Sequence, residues 1–588
     1  MNRYSLLFII AVLLADITLI IFKRRVKRNW FLVGLIAVPL MSYVIFYNYD
    51  YSLIESGFIY LISFLGVLAT TYLFFFLVSY KESTQPVVVS RPVIKAILFF
   101  LVQGASLAFI LSIPWALSTF PLSNTEAILF TFFAPAEGAF AFVFKTFVDK
   151  VLYGNIALFI IYFPSQILIC FAMHKSKTDI TFHLKPFSLT LPGNSSFPTT
   201  FSQLEKGLST FLLACVFANL ALIPAILYSR AFEALLFMEP VDSELYKSQF
   251  IKPERIGVHD STNNKNLIVI FVESMENNFE NYTPEINYWK KQGMNFMPGG
   301  ESVAGTSWTI AGMTAALCGV PVNLPLDITE YHGKLPSFLP GTTCIMELLE
   351  KSGYNQIYLQ GSSAEFTQKR DFWTYHGNVE IVDDSIIKHK LHLPNNYHVF
   401  WGVEDRRTFA VTKQKLDSLA VLEAPFASYV LTVNTHQPDG LLDSACHYEE
   451  NSPYKNALRC SSKQLGDFLQ WVKEQSWFAN TIVLLAGDHV MQMLSPKVGL
   501  PNDEPLYTTV FFLNAPDGDY KANRSFSNLD LAPSILEALG WELPEHGFAL
   551  GRSLFANEPT MLELYGRDSL DKMLRQRSFQ YDSLLYNK

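Results

Sequence analysis

Three short segments in the C-terminal half of the chain carry residue types that suit one metal site. Asn266-Leu-Ile-Val-Ile-Phe-Val-Glu273-Ser is an apolar run ending on a carboxylate, and Thr481-Ile-Val-Leu-Leu-Ala-Gly487-Asp488-His489 is another ending on an acid–imidazole pair. Between them Gly305-Thr-Ser-Trp308-Thr309-Ile-Ala-Gly312-Met sets a hydroxyl at a predicted helix start. A carboxylate, a hydroxyl and an Asp-His pair would together hold a divalent cation and an attacking oxygen, the elements of metal-assisted group transfer. Buried strands bearing charge at their C-terminal ends are where an open α/β sheet places its chemistry.

Each residue also has an ordinary structural role. Glu273 could be a helix cap or half of a salt bridge, and the same holds for Asp488 and His489. However, an isolated buried charge is costly, and two strands ending this way reinforce each other. Thr309 at a helix N-terminus would meet the positive end of the dipole and free backbone N–H groups, which suit a phosphate. It could equally be a simple cap, and Thr306 competes for the role of nucleophile. His436, in Val433-Asn-Thr-His436-Gln-Pro-Asp-Gly, follows another strand and could hydrogen-bond a phosphate oxygen or protonate a leaving group. Lys369 and Arg370 could neutralise a transferring phosphate, although adjacent cations are usually solvated. Trp308 is a further candidate substrate contact. Three oxygen ligands and one imidazole favour Mn²⁺ or Mg²⁺, with Zn²⁺ as the alternative.

The elements that must position these groups are short apolar runs suited to buried strands: Leu267–Val272, Gln356–Leu359, Ala427–Val433, Ile482–Leu485 and Thr508–Leu513. Helical patterns alternate with them at Cys344–Ser352, Ser462–Glu474 and Asp530–Leu539. The last has Pro533 in its first turn and Gly540 just beyond its end. This alternation predicts an α/β layered domain with a mainly parallel sheet.

The N-terminal half is different. The chain has 588 residues, 50% hydrophobic and 17% charged, and the apolar residues concentrate before Phe237. Tyr4–Phe22, Trp30–Tyr47, Ile54–Val78, Ala96–Ser118, Ile156–Met173 and Leu208–Tyr228 each suit a membrane-spanning helix. Residues 127–147 are apolar but broken by Pro135, Glu137 and Gly138, and read as a re-entrant or interfacial segment or a seventh span. Basic residues after the first, third and fifth spans (Lys23 to Arg28; Lys81, Arg91 and Lys95; His174, Lys175 and Lys177) belong in the cytoplasm. Everything past Tyr228 then lies outside it. The predicted organisation is a polytopic α-helical membrane domain (1–232), a connector (233–264), a catalytic α/β domain (265–560) and a C-terminal tail (561–588). The net charge of −8 offers no basic face for nucleic acid. Cys318, Cys344, Cys446 and Cys460 form an even set in the exported half, which favours disulfides. Local spacing suggests Cys318–Cys344 and Cys446–Cys460, though three pairings are open.

The segments around Glu273, Thr309 and Asp488-His489, with Asn528-Leu-Asp-Leu-Ala-Pro-Ser and Gly551-Arg-Ser-Leu, resemble the alkaline phosphatase and sulfatase superfamily. The soluble half is similar to its membrane-anchored phosphoglycerol transferases, including those of periplasmic glucan and lipoteichoic acid synthesis. That likeness rests on Gly305-Thr-x-x-Thr309-Ile-Ala-Gly-Met, Cys318-Gly-Val-Pro, Lys351-Ser-Gly-Tyr, Gln360-Gly361 and Thr435-His436-Gln-Pro-Asp-Gly. The resemblance implies a sulfatase-like fold with Glu273, Thr309, Asp488 and His489 as metal ligands and Thr309 as nucleophile. It implies that His436 contacts the phosphoglycerol group and Lys369 its phosphate. It further implies a bacterial inner-membrane enzyme facing the periplasm, with phosphatidylglycerol as lipid donor and a glycan as acceptor. The segment before Asp488 reads Leu-Ala-Gly rather than a serine-rich run, and the membrane half shows no matching motif. Phosphoethanolamine transfer to lipid A, or a silent sensor that kept the fold, are the competing expectations.

Overall fold

The computed structural model describes residues 148, 180–184, 187–191, 240–257, 265–323, 338–437, 439–491, 506–518 and 520–586. The six expected spans and the segment 127–147 lie outside these residues. Ile180–Leu184 and Phe187–Leu191, which belong to none of the spans, pair as an antiparallel hairpin. No helix among the described residues is long and apolar enough to cross a membrane. Glu233–Lys588 belong to one compact unit.

That unit is built on a seven-stranded sheet. In chain order its strands are β1 (Asn266–Val272), β2 (Met294–Asn295), β3 (Asn355–Gln360), β4 (Glu380–Val382), β5 (Phe426–Leu431), β6 (Thr481–Gly487) and β7 (Val510–Leu513). Their spatial order is β2-β7-β6-β1-β5-β3-β4. The five expected strands all form, and the centre is parallel: β1 pairs with β5 and β6, and β3 with β5 and β4. The sheet as a whole is mixed. Chain leaving β6 re-enters at the same edge, so that Val510 pairs with Ala486 and β7 runs antiparallel, followed by β2.

Along β1 the side chains alternate between two cores. Leu267, Val269 and Phe271 pack on one face, and Ile268, Ile270 and Val272 on the other. A strand buried on both faces must be apolar at every position, which is why the run is continuous. Helices α2 (Thr309–Cys318), α3 (Ile345–Lys351) and α7 (Leu531–Ala538) cover the first face. Helices α1 (Pro284–Gln292), α5 (Asp405–Ala420) and α6 (Pro453–Lys473) cover the second. The short α4 (Lys369–Tyr375) stands beside β4. Helix α6 begins nine residues before the expected Ser462, because Pro453 occupies its first position and opens the helix.

Residues 561–586, expected as a tail, are instead three helices folded onto the unit. Leu570, Leu574, Tyr581 and Leu585 are buried in its core. Asp571 Oδ1 accepts from Ala304 N at 2.7 Å, and the Tyr581 hydroxyl accepts from Asn323 N at 2.7 Å. These contacts grip both ends of the segment that carries α2.

Two disulfides close the fold, Cys318–Cys344 and Cys446–Cys460. Cys318 is the last residue of α2 and Cys344 caps α3, so the first bridge ties the helix carrying Thr309 to its neighbour. Replacing Cys318 and Cys344 together with serine is expected to lower the unfolding free energy by about 2–4 kcal/mol, the usual effect of losing such a cross-link. Urea melts would read this, and an unchanged midpoint would contradict it.

Candidate active site

The parallel register sets the C-terminal ends of three strands side by side. Val272 pairs with Gly487, and Phe271 with Leu431. The residues that follow (Glu273, Thr432 to His436, and Asp488 with His489) therefore emerge at one edge. Ser274 takes φ of 50°, a conformation uncommon for a residue with a side chain, and turns the chain sharply as it leaves β1. Its N–H then donates to Asp488 Oδ1 at 2.9 Å, while its hydroxyl donates to Glu273 Oε1 at 2.9 Å.

Helix α2 delivers Thr309 to this edge. Trp308 holds the N-cap position without a capping side-chain bond, and Thr309 is the first helical residue. The Thr309 hydroxyl lies 3.3 Å from Glu273 Oε2 and 3.5 Å from His489 Nε2. Thr306 is used differently. Its buried hydroxyl donates to Val303 O at 2.9 Å and accepts from Val303 N at 3.0 Å, closing a turn. Two glycines permit the close packing. A Cβ on Gly312 would lie 1.9 Å from Asp488 O, and one on Gly487 2.2 Å from Met275 O. Asn528 Nδ2 fastens the contact by donating to Asp488 O at 2.7 Å.

Glu273, Asp488 and His489 are all buried and present ligand atoms within 4.8 Å of one another. Asp488 Oδ2 is buried and accepts no hydrogen bond. His489 Nδ1 lies 2.7 Å from Val490 O. A carbonyl can only accept, so Nδ1 carries a proton and Nε2 is the ring atom that faces the two carboxylates, which, against the effect of burial, raise the imidazole pKa. An orphaned carboxylate oxygen, a second carboxylate and an oriented imidazole suit a divalent cation, and this group could bind one. A second acid–imidazole cluster among the described residues, Cys344 with Glu347 and His376, does not fit. Its sulfur is in a disulfide, Glu347 caps α3, and His376 Nε2 lies 2.8 Å from Phe338 O.

Electrostatics agree with the cation reading. Burial and the neighbouring Glu273 push Asp488 up to about 7, against the pull of His489. Burial works against ionised Glu273 too, but His436, His489 and the Ser274 and Thr309 hydroxyls hold its pKa below the usual value. Two close carboxylates without a cation thus retain a proton. A raised acid pKa makes the metal-free fold lose stability as pH rises from the ordinary carboxylate range through about 7. A cation must displace that proton, and the proton on His489 where it is bound, so its affinity should fall at least about tenfold per pH unit below pH 7. The melting-temperature gap between Mn²⁺-loaded and EDTA-treated protein is therefore expected to widen from pH 6 to pH 8, by at least roughly the linkage of one proton. A gap that narrows over this range would contradict the ligand assignment of Asp488.

Lys369 and Arg370 part company. Lys369 is buried, donates to Phe366 O at 2.8 Å, and lies 4.8 Å from the Phe366 ring centroid. Burial draws it down to about 8, while Glu273 and Asp488 oppose the shift. Arg370 is instead held by Glu365 and, at 2.7 Å, by Asp383 Oδ2, and is not drawn into the group. His436 donates from Nδ1 to Gln437 O at 2.8 Å, and burial lowers its pKa against the pull of Glu273. Trp308 is 6% exposed and packs in the core, which leaves little of it to meet a substrate.

Sequence reasoning missed the supports. Thr432 Oγ1 accepts from Glu273 N at 3.1 Å, and the Thr435 hydroxyl donates to Glu273 O at 2.6 Å. Asp405 accepts from Val433 N and Asn434 N at 2.7 and 3.0 Å. The one available signal was the pair of threonines at the end of β5.

Residues 265–541 match the family model for Sulfatase. This domain is sulfatase-like. The chain is 29% identical over 314 residues to phosphoglycerol transferase I of Escherichia coli, which covers 51% of this chain and 40% of that one. It is 30% identical over 237 residues to phosphoglycerol transferase I of Salmonella paratyphi B, covering 38% and 31%. The match spans less than half the length of these curated relatives. Among solved structures, the lipoteichoic acid synthase LtaP of Listeria monocytogenes is 15% identical with a TM-score of 0.44, covering 58% of this chain and 97% of that one. The matched region contains β1, β6 and α2, whereas the three C-terminal helices fall beyond it.

Proposed function

We propose that the protein transfers phosphoglycerol from phosphatidylglycerol to a glycan acceptor, with Thr309 as nucleophile. The observation that carries this reading is the Thr309 hydroxyl at the start of α2, beside Glu273 and His489, while the Thr306 hydroxyl is engaged in its own turn. A divalent cation, Mn²⁺ or Mg²⁺ ahead of Zn²⁺, held by Glu273, Asp488, His489 and Thr309 would offset phosphoryl charge and ease deprotonation of the hydroxyl.

The Thr309 oxygen attacks the phosphorus of the donor phosphodiester, and the bond to the diacylglycerol oxygen breaks as that oxygen takes a proton. Phosphoglycerol is left as an ester on Thr309. An acceptor hydroxyl then attacks the same phosphorus, gives up its proton, and releases Thr309 with its hydroxyl restored. Lys369 supplies positive charge near the phosphate. His436, with its proton committed to Gln437 O, presents Nε2 as an acceptor for a glycerol hydroxyl. The ammonium of phosphoethanolamine would prefer a carboxylate at that place, which favours the phosphoglycerol donor. The curated phosphoglycerol transferases support the same donor. Two disulfides suit an exported domain, and we place it on the periplasmic side of a bacterial inner membrane, tethered by the segment 1–232.

Purified protein with Mn²⁺ is expected to release diacylglycerol from phosphatidylglycerol vesicles and not from phosphatidylethanolamine vesicles. Preferred turnover of phosphatidylethanolamine would replace this reading with phosphoethanolamine transfer. Turnover of neither lipid would favour a silent sensor.

A further inference from the structure

Beside His436 the chain builds an aromatic wall that the transfer chemistry does not use. The Trp401 ring centroid lies 4.2 Å from that of His436, and Phe400 stands 6.4 Å from the same imidazole. Phe366 lies 5.8 Å from Trp401. The three rings come from two loops and are only partly buried. Thr435, the residue before His436, donates its hydroxyl to Glu273 O at 2.6 Å, and the Glu273 carboxylate is 3.3 Å from the Thr309 hydroxyl. The wall therefore borders the reacting centre.

The loop that carries Trp401 is built to hold it there. Phe400 takes φ of 61°, a strained conformation for a bulky residue. Val399 and Gly402 exchange backbone hydrogen bonds of 2.7 and 3.2 Å, and Val403 N donates to Gly361 O at 2.6 Å. A Cβ on Gly402 would lie 2.1 Å from Gly361 O, and one on Gly361 2.0 Å from Val403 O. Both glycines thus permit the loop bearing Trp401 to lock against the end of β3. Strain held in place by such contacts, with large rings left partly open, argues for binding rather than packing.

We propose that Trp401, flanked by Phe366 and Phe400, is the platform on which a pyranose ring of the acceptor glycan stacks. This rests on the transfer reading above and gives that acceptor a place. A pyranose has a flat face of C–H groups edged by hydroxyls, and it needs an aromatic surface with a polar group at the rim. The half-buried His436, 4.2 Å from Trp401 between ring centroids, supplies that rim here. An acyl chain would need a continuous apolar path. None of the large apolar side chains most exposed among the described residues, such as Val421, Leu422 and Phe579, comes from these loops.

The test is calorimetric titration of glucose oligosaccharides (sophorohexaose, laminarihexaose, cellohexaose and maltohexaose) into full-length detergent-solubilised protein carrying Thr309→Ala, so that no turnover intervenes. At least one sugar is expected to bind. Adding Trp401→Ala should weaken it at least about tenfold, and Trp401→Phe, which keeps a ring, should weaken it less. Equal affinity in all three proteins, or no binding by the Thr309→Ala parent, would overturn the proposal. Thermal melts and Trp401→Phe separate a misfolded alanine variant from a lost platform. Diacylglycerol release from phosphatidylglycerol, measured on the unaltered protein, is read independently. Sugar binding that depends on Trp401 without lipid cleavage would keep the platform and remove the donor.

Discussion

Replacing Thr309 with alanine is expected to reduce the proposed phosphoglycerol transfer by at least about a thousandfold, because the proposed mechanism then loses the group that attacks phosphorus. Thr309→Ser should retain measurable turnover, since the oxygen remains at the first position of α2 but loses the rotamer restriction of a β-branched side chain. The informative comparison is Thr306→Ala. That hydroxyl is buried and closes a turn with both backbone groups of Val303. Its loss should cost roughly 1–3 kcal/mol of stability and a much smaller part of the activity. The two threonines thus separate by readout: Thr309 through turnover at an unchanged melting temperature, Thr306 through the melting temperature. Peptide mass spectrometry of protein quenched with phosphatidylglycerol should find the phosphoglycerol adduct on Thr309. An adduct on Thr306 would reverse the assignment.

Much of this arrangement was legible because the sheet is buried on both faces. A strand such as β1 must then be apolar throughout, and a carboxylate at its end stands out against that background. The same contrast exposes Asp488 and His489 at the end of β6. The antiparallel course of β7 was not legible, because it depends on where the chain re-enters rather than on its own composition. The opposite fates of Lys369 and Arg370 were also hidden. Thr367 and Gln368 both take φ of 57° just before α4, a backbone course that the sequence does not announce. The last three helices read as a tail because each is short, and their stability comes from contacts with residues more than two hundred positions earlier. The threonines that hold Glu273 could not be told from other strand-end threonines until β1 and β5 were seen side by side.

Gly312 offers the other large effect, and it acts on the ligand group without being a ligand. Intrinsic propensity favours alanine over glycine inside a helix by about 1 kcal/mol, so Gly312→Ala would stabilise α2 in isolation. Here the added Cβ would lie 1.9 Å from Asp488 O and 2.9 Å from its carbonyl carbon, and both are backbone atoms. Asp488 is pinned by Ser274 N, His489 N and Asn528 Nδ2, so it has little freedom to move aside. Either α2 lifts away and carries Thr309 from Glu273, or Asp488 shifts and the ligand group opens. Overpacking of this kind typically costs about 1–3 kcal/mol, which outweighs the propensity gain. The expected result is a lower melting temperature, Mn²⁺ affinity reduced at least about tenfold, and transfer activity close to that of Thr309→Ala. Asn528→Ala, which removes one pin without adding bulk, should be milder on all three measures. A Gly312→Ala protein that binds Mn²⁺ and turns over like the unaltered enzyme would show that α2 and Asp488 are not in the close contact on which the site depends.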